Sequence, residues 1–289
     1  MKFIPKIKFI PFYVLSIVPM FVLHILSDII FVILYYLIKY RRKVVFENLK
    51  NSFKDKSFQE RKKIEKEFYQ HFCDIIFETI KTITISKNEI TSRLSIKNPE
   101  MIQKYFDQKR DIVLYSAHFG NWEWLSFLPH FVPYHVNSLY QPLSNNYFEE
   151  ITQVSRSRNG LNCIPSKVGY KTIISYKRKN ILTINIIAGD QRPRKSSSKH
   201  WVKFLNQDTA FLIGADRIAK KSNQVVIFPS FKKTKRGHYE IEFQIIEEEH
   251  EKENTNRIID KYAELLENAI IKSPDLWLWS HKRWKLSKE

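Results

Sequence analysis

The stretch Asp111-Ile-Val-Leu-Tyr-Ser-Ala-His118-Phe-Gly120-Asn121-Trp-Glu123-Trp-Leu125 decides how the chain is read. Ile112 to Tyr115 is a short apolar, largely β-preferring run behind a charged residue, the pattern of a buried strand. The run breaks at Ser116-Ala117-His118. Gly120-Asn121 then supplies a turn and an N-cap for a buried helix expected from Trp122 to Leu128. A histidine is thereby delivered to the end of a buried strand, beside a helix N-terminus, with a carboxylate following at Glu123.

That placement has chemical content. An imidazole at the mouth of an α/β layer can take a proton from an attacking hydroxyl, and a nearby carboxylate can fix its tautomer. N–H groups at the helix start favour a developing oxyanion. By spacing alone, a core histidine beside a solvated glutamate is an equal reading.

The rest of the chain supplies elements for an α/β layer. Val136–Tyr140, Ile181–Ile187 and Val225–Pro229 are expected as strands, the second of them central and parallel because it is apolar on both faces. Tyr239–Ile245 alternates with period two and is expected as an edge-side strand with one wet face. Helices are expected over Ser57–Ile85, ahead of Gly160, over Lys171–Arg178, over Thr209–Lys221 and over Thr255–Ile271. Glu78 and Lys81 on the first of these are assigned to packing. Lys195-Ser-Ser-Ser-Lys199 reads as a mobile part of a lid, and the Glu247–Glu253 charge run as a solvated loop.

Phe9 to Ile38 is almost wholly apolar, long enough to cross a bilayer even with the kinks of Pro11 and Pro19. Lys2, Lys6 and Lys8 precede it and Lys39, Arg41, Arg42 and Lys43 follow, so charge balance leaves its direction open. A membrane anchor that spans or lies in the interface is expected over residues 1–43, with the catalytic domain over 44–289; a buried core hairpin is the alternative. Net charge is +18, from 48 basic and 30 acidic residues. Such an excess suits anionic partners, but no RNP, helix-turn-helix or zinc-finger pattern points to nucleic acid. Cys73 and Cys163 lack metal or disulfide spacing, which fits a reducing compartment.

His118-Phe-Gly-Asn-Trp-Glu123 resembles the His-x4-Asp/Glu motif of the lysophospholipid acyltransferase superfamily, in the form carried by the bacterial lipid A late acyltransferases. Further resemblances follow in order: Tyr40-Arg-Arg through Asn48-Leu to Phe53, Asp190-Gln191-Arg192-Pro193, Trp201 to Ala210, Val225–Pro229, and Pro274 through Trp277-Leu-Trp279-Ser-His281 to Arg283-Trp284. The resemblance implies a mixed, largely parallel central sheet flanked by helices, like that of glycerol-3-phosphate acyltransferase, behind an N-terminal membrane anchor. It implies transfer of a fatty acyl chain from an acyl carrier protein thioester to a hydroxyl of a lipid A precursor, at the cytoplasmic face of the inner membrane. His118 is then the general base and Glu123 orients it, with no metal or nucleotide needed for the step.

The same resemblance places Arg156 and Arg158 in a basic patch facing a phosphorylated, anionic lipid. Read from the residues alone, they are equally the solvated end of a helix capped by Gly160. Asp190 and Gln191 would orient a sugar or the His118 loop, and Arg192 or Arg194 would hold phosphate; a plain turn is the alternative. Gln141 departs from the family, which usually has an arginine before that proline. An aminolipid, glycolipid or pigment alcohol is therefore a second acceptor class, and an inactive membrane-binding scaffold a third reading. The three tryptophans at 277, 279 and 284 suit either a bilayer interface or a segment packed over the sheet, and His281 is read as structural.

Overall fold

A computed structural model describes residues 9–142, 145–250 and 256–288. Lys2, Lys6, Lys8, Leu143, residues 251–253 of the charge run and the expected helix start at Thr255 lie outside them. Two short helices open the fold, α1 (Ile10–Ile17) and α2 (Met20–Val32), the second continued by a π-turn over Ile33–Leu37. Pro19 ends one and begins the other. After α3 (Arg42–Ser52) comes the long α4 (Phe58–Lys81), started by a capping box in which Ser57 and Glu60 satisfy each other's backbone N–H groups.

The central layer follows as α5 (Lys87–Arg93), β1 (Leu94–Ile96), α6 (Pro99–Asp107), β2 (Ile112–Ser116), a 3-10 helix (Trp122–His130), β3 (His135–Tyr140), α7 (Asn146–Ser157), β4 (Asn162–Pro165), α8 (Ser166–Arg178) and β5 (Thr183–Ala188). A hairpin of β6 (Lys199–Phe204) and β7 (Gln207–Leu212) precedes α9 (Gly214–Ser222), β8 (Val225–Lys235), β9 (His238–Glu247) and α10 (Arg257–Lys272). Among the described residues, seven strands form one sheet in the order β1-β9-β8-β2-β5-β3-β4. β8 and β9 pair antiparallel and every other neighbour is parallel. This is the mixed, largely parallel, helix-flanked sheet expected. β2 and β5 lie at its centre, side by side from Ile112↔Ile184 to Ser116↔Ala188, and every side chain of β2 is buried.

Several local expectations are corrected. Residues 209–212 belong to strand β7, not to a helix, and the helix starts at Gly214. The hairpin turns through Leu205 and Asn206, both at positive φ, as a tight two-residue connection requires. A leucine there gives no sequence signal. Pro229 lies inside β8 rather than closing it. Past Ile227 that strand pairs with β9 alone, and an edge tolerates a residue without an N–H. β9 lies second from the edge, with β1 outside it, and its burial alternates along the strand as expected. The helix at Trp122 is 3-10, with Pro129 inside it, and the Asn121 side chain makes no cap.

The N-terminal helices are packed on one face only. Leu23, Ser27, Phe31 and Tyr35 are buried against α4. Phe21, Ile25, Ile29, Val32 and Leu37 on the opposite side are exposed, Phe21 by 68% and Leu37 by 72%. Polar bonds hold the inner face. Ser27 donates to Asp74 at 2.8 Å, and Lys81 donates to Ser16 O and Val18 O, the carbonyls at the end of α1. Arg236, in the β8–β9 turn, reaches Asp28 of α2 and Asp74 of α4 together.

Candidate active site

Two glycines shape the rim above the sheet. Gly120 has φ +65°, and a Cβ there would stand 2.3 Å from Phe231 Cβ. Both facts demand glycine. A Cβ on Gly189 would come 2.1 Å from the Tyr115 ring. That close approach lets the chain leaving β5 cross the end of β2, where Gly189 N–H bonds Ser116 O at 3.0 Å. His118 follows β2 and Asp190 follows β5, so the adjacent parallel strands bring them together beyond their carboxyl ends.

His118 Nδ1 lies 2.8 Å from Asp190 Oδ1. Asp190 is almost fully buried, and its Oδ2 accepts from Trp277 Nε1 at 3.0 Å. Burial opposes a charged imidazole, but the neighbouring Asp190 charge and its hydrogen bond outweigh that and hold His118 above its ordinary value. For Asp190, burial works against the anion and the contacts with His118 prevail, holding it below the usual carboxylate range. An ionised aspartate accepts a hydrogen bond from Nδ1–H, which leaves the lone pair on Nε2. Gln191 Nε2 approaches that atom at 3.1 Å, on the exposed side.

Glu123 is placed otherwise than expected. It does not bond His118. Its two oxygens accept from Arg156 Nε at 3.0 Å and Nη2 at 2.8 Å, and Trp122 Nε1 adds a third bond at 3.2 Å. Burial opposes the carboxylate, but the Arg156 charge and hydrogen bonds outweigh it and hold Glu123 below its ordinary value. Arg156 is correspondingly engaged by Glu123. Arg158 points away from the pair, towards Thr82 O and Ile85 O just beyond α4. Arg192 contributes its backbone N–H to His281 Nε2 at 3.1 Å. The structure thus gathers His118, Asp190, Gln191, Glu123 and Arg156, and leaves the Arg158 side chain outside.

Behind the turn lies a second layer that the sequence reading did not resolve. Glu78, fully buried, accepts from Asn121 Nδ2 at 2.6 Å and Tyr239 OH at 2.9 Å, and lies 3.1 Å from His24 Nε2. His71 Nε2 meets Gly120 O at 3.2 Å. Glu78 and Lys81 therefore act through hydrogen bonds rather than as inert packing. Asn121, expected as a cap, is turned inward because a buried carboxylate needs its donor. Trp277 and Trp279 are buried, so the bilayer-interface reading of these two is overturned.

A sheet of this topology, with such a rim, belongs here to an acyltransferase. The chain belongs to the bacterial lipid A biosynthesis acyltransferase family, whose model matches residues 6–286. No curated protein matches the sequence closely enough to count as a relative.

Proposed function

We propose that the protein moves a fatty acyl chain from an acyl carrier protein thioester to a hydroxyl of a lipid A precursor, with His118 as general base. The observation that carries this reading is the His118–Asp190 pair, with Nδ1 occupied and Nε2 facing the exposed side. Gln191 yields its contact when a substrate hydroxyl arrives. The hydroxyl proton passes to Nε2 while its oxygen attacks the thioester carbonyl. The tetrahedral intermediate collapses with cleavage of the C–S bond, and the departing sulfur takes the proton back from the imidazolium. Backbone N–H groups of the 119–123 turn other than that of Gly120, which is bonded to Leu276 O, or a neighbouring cation hold the oxyanion. Arg192 and Arg194 are the cations assigned to the acceptor's phosphate.

Membrane association at the cytoplasmic face of the inner membrane belongs to the same reading. Met20–Leu37 is long and apolar enough to span a bilayer. Its exposed row continues that of α1, through Ile10, Val14, Ile17, Phe21, Ile25 and Ile29. A one-sided apolar row on docked helices supports an element lying in the interface plane, with the basic residues after Ile38 at the headgroups.

Membranes carrying the protein, offered acyl carrier thioesters and an under-acylated lipid A precursor, test the reaction. One added acyl chain, lost in His118→Ala, supports it. Thioester consumption without lipid A acylation moves the acceptor to another alcohol. Normal transfer by His118→Ala removes the general-base assignment.

A further inference from the structure

The segment following α10 touches both halves of the site. The Trp277 indole N–H bonds Asp190 Oδ2, the oxygen that His118 leaves unused. Around it the backbone pairs with the catalytic turn. Gly120 N–H donates to Leu276 O at 3.0 Å, Leu278 N–H donates to His118 O at 3.1 Å, and Phe119 and Trp277 form an antiparallel bridge. The indole is 2% exposed and wedged among Phe204, Trp279 and Trp284, with ring centroids 4.8 to 5.8 Å away. It has no room to swing off the carboxylate.

We propose that Trp277 is a positioning residue for acyl transfer, whose indole N–H fixes the Asp190 carboxylate so that Oδ1 stays on His118 Nδ1 and the basic lone pair stays on Nε2. The proposal rests on the reading of His118 as general base, and the experiment below separates the two. Hydrogen bonds from both sides set the plane of the carboxylate, and with it the plane of the imidazole. Packing alone would be met by any apolar bicyclic ring of the same shape, whereas the N–H does something a hydrocarbon ring cannot. It draws off part of the carboxylate charge. Without it the buried anion is less satisfied and attracts a proton on His118 more strongly. Other charged and titratable groups also face the pair. Glu123 and Arg156 face His118 with opposite effects, and His281, Arg283, Tyr115 and Tyr262 face Asp190.

The test uses the full chain with 13C-labelled histidine, the His118 resonance being assigned by its loss in His118→Ala. Trp277→Phe removes the N–H. Benzothienylalanine introduced at position 277 removes it while keeping the bicyclic shape, and carries the test if the phenylalanine variant does not fold. Trp279→Phe is the control, since the Trp279 N–H goes to Pro274 O and not to the carboxylate. The expected result is a His118 titration midpoint raised by about half a pH unit or more in both position-277 variants and unmoved in Trp279→Phe. The acidic limb of transfer moves with it, and kcat falls about tenfold at unchanged KM. A midpoint within about 0.2 units of the native one, or an equal shift in Trp279→Phe, overturns the proposal. If the native protein transfers no acyl group, the functional reading fails, while the titration still decides whether Trp277 governs the pair.

Discussion

Glu123 and Arg156 meet through two hydrogen bonds of 3.0 and 2.8 Å, so the carboxylate closest to His118 in sequence is held by a cation of α7 rather than by the imidazole. The motif therefore ties the His118 turn to a neighbouring helix. Removing Arg156 alone leaves a mostly buried carboxylate with one indole donor. Arg156→Met is expected to cost about 2–4 kcal/mol of stability. Glu123→Gln with Arg156→Met should show a coupling of about 1–3 kcal/mol in a double-mutant cycle read by urea unfolding. Simple additivity would mean that the two do not act as a unit.

The His118 pKa lies above the ordinary 6.5, since the Asp190 charge and hydrogen bond overcome the opposing effect of burial. Transfer that needs a neutral Nε2 should therefore rise with pH through a midpoint above 6.5. Asp190→Asn removes the charge and no longer enforces the tautomer. Its midpoint should move down and kcat should fall on the order of 10³-fold or more. A pH profile of kcat/KM on both forms checks this, and a native midpoint below 6.5 would contradict it.

His71 and His281 behave in the opposite way. Burial pushes each down to about 4. Between about 6.5 and about 4 the unfolded chain binds protons that these folded imidazoles refuse, so stability is lost as pH falls through that window. Tm measured from pH 7 downwards should decline there, and less steeply in His71→Gln. The carboxylates Asp190 and Glu123, whose folded values are depressed, lose their contribution only at lower pH. A Tm flat across the histidine window would mean that neither imidazole is held neutral by the fold.

Arg236 clasps the apolar helix α2 to the domain by spanning Asp28 and Asp74. Asp74 is 2% exposed, and without Arg236 it keeps only Ser27 and the more distant Lys233, at 3.7 Å. Arg236→Met should destabilise the protein by about 3 kcal/mol and expose the α1–α2 connection to protease. Unchanged cleavage with unchanged stability would show that α2 is held by its apolar face alone.

The central layer was legible because its signals are local. An apolar run before His118 and another before Asp190 each announce a buried strand end, and parallel pairing then makes the two ends neighbours. Partner choice within the site was not legible. Whether His118 takes Asp190 or Glu123 depends on the lateral order of β2 and β5, and spacing along one segment says nothing of it. Leu205 at positive φ hid the β6–β7 turn, and the three-residue β1 is too short to show a period. Asn121 has the composition of a cap, and only the fold reveals that Glu78, far away in sequence, claims its amide. The tryptophans after Pro274 carry two incompatible meanings in sequence, membrane interface and core, and burial decides between them for Trp277 and Trp279.

Asn48 of α3 donates to the carbonyls of Trp279 and His281 at 2.8 and 3.0 Å, and Arg41 reaches Ser280 O. Helix α3 is thus made well before the segment it bonds, residues 279–281. Strands β2 and β5 emerge long before residues 276–283, so a nascent chain holds His118 and Asp190 without the segment that braces them. Synthesis proceeds from the N-terminus and folding follows it. A chain that stops short of Leu276 is accordingly expected to bring His118 and Asp190 together without the indole and backbone bonds that brace them.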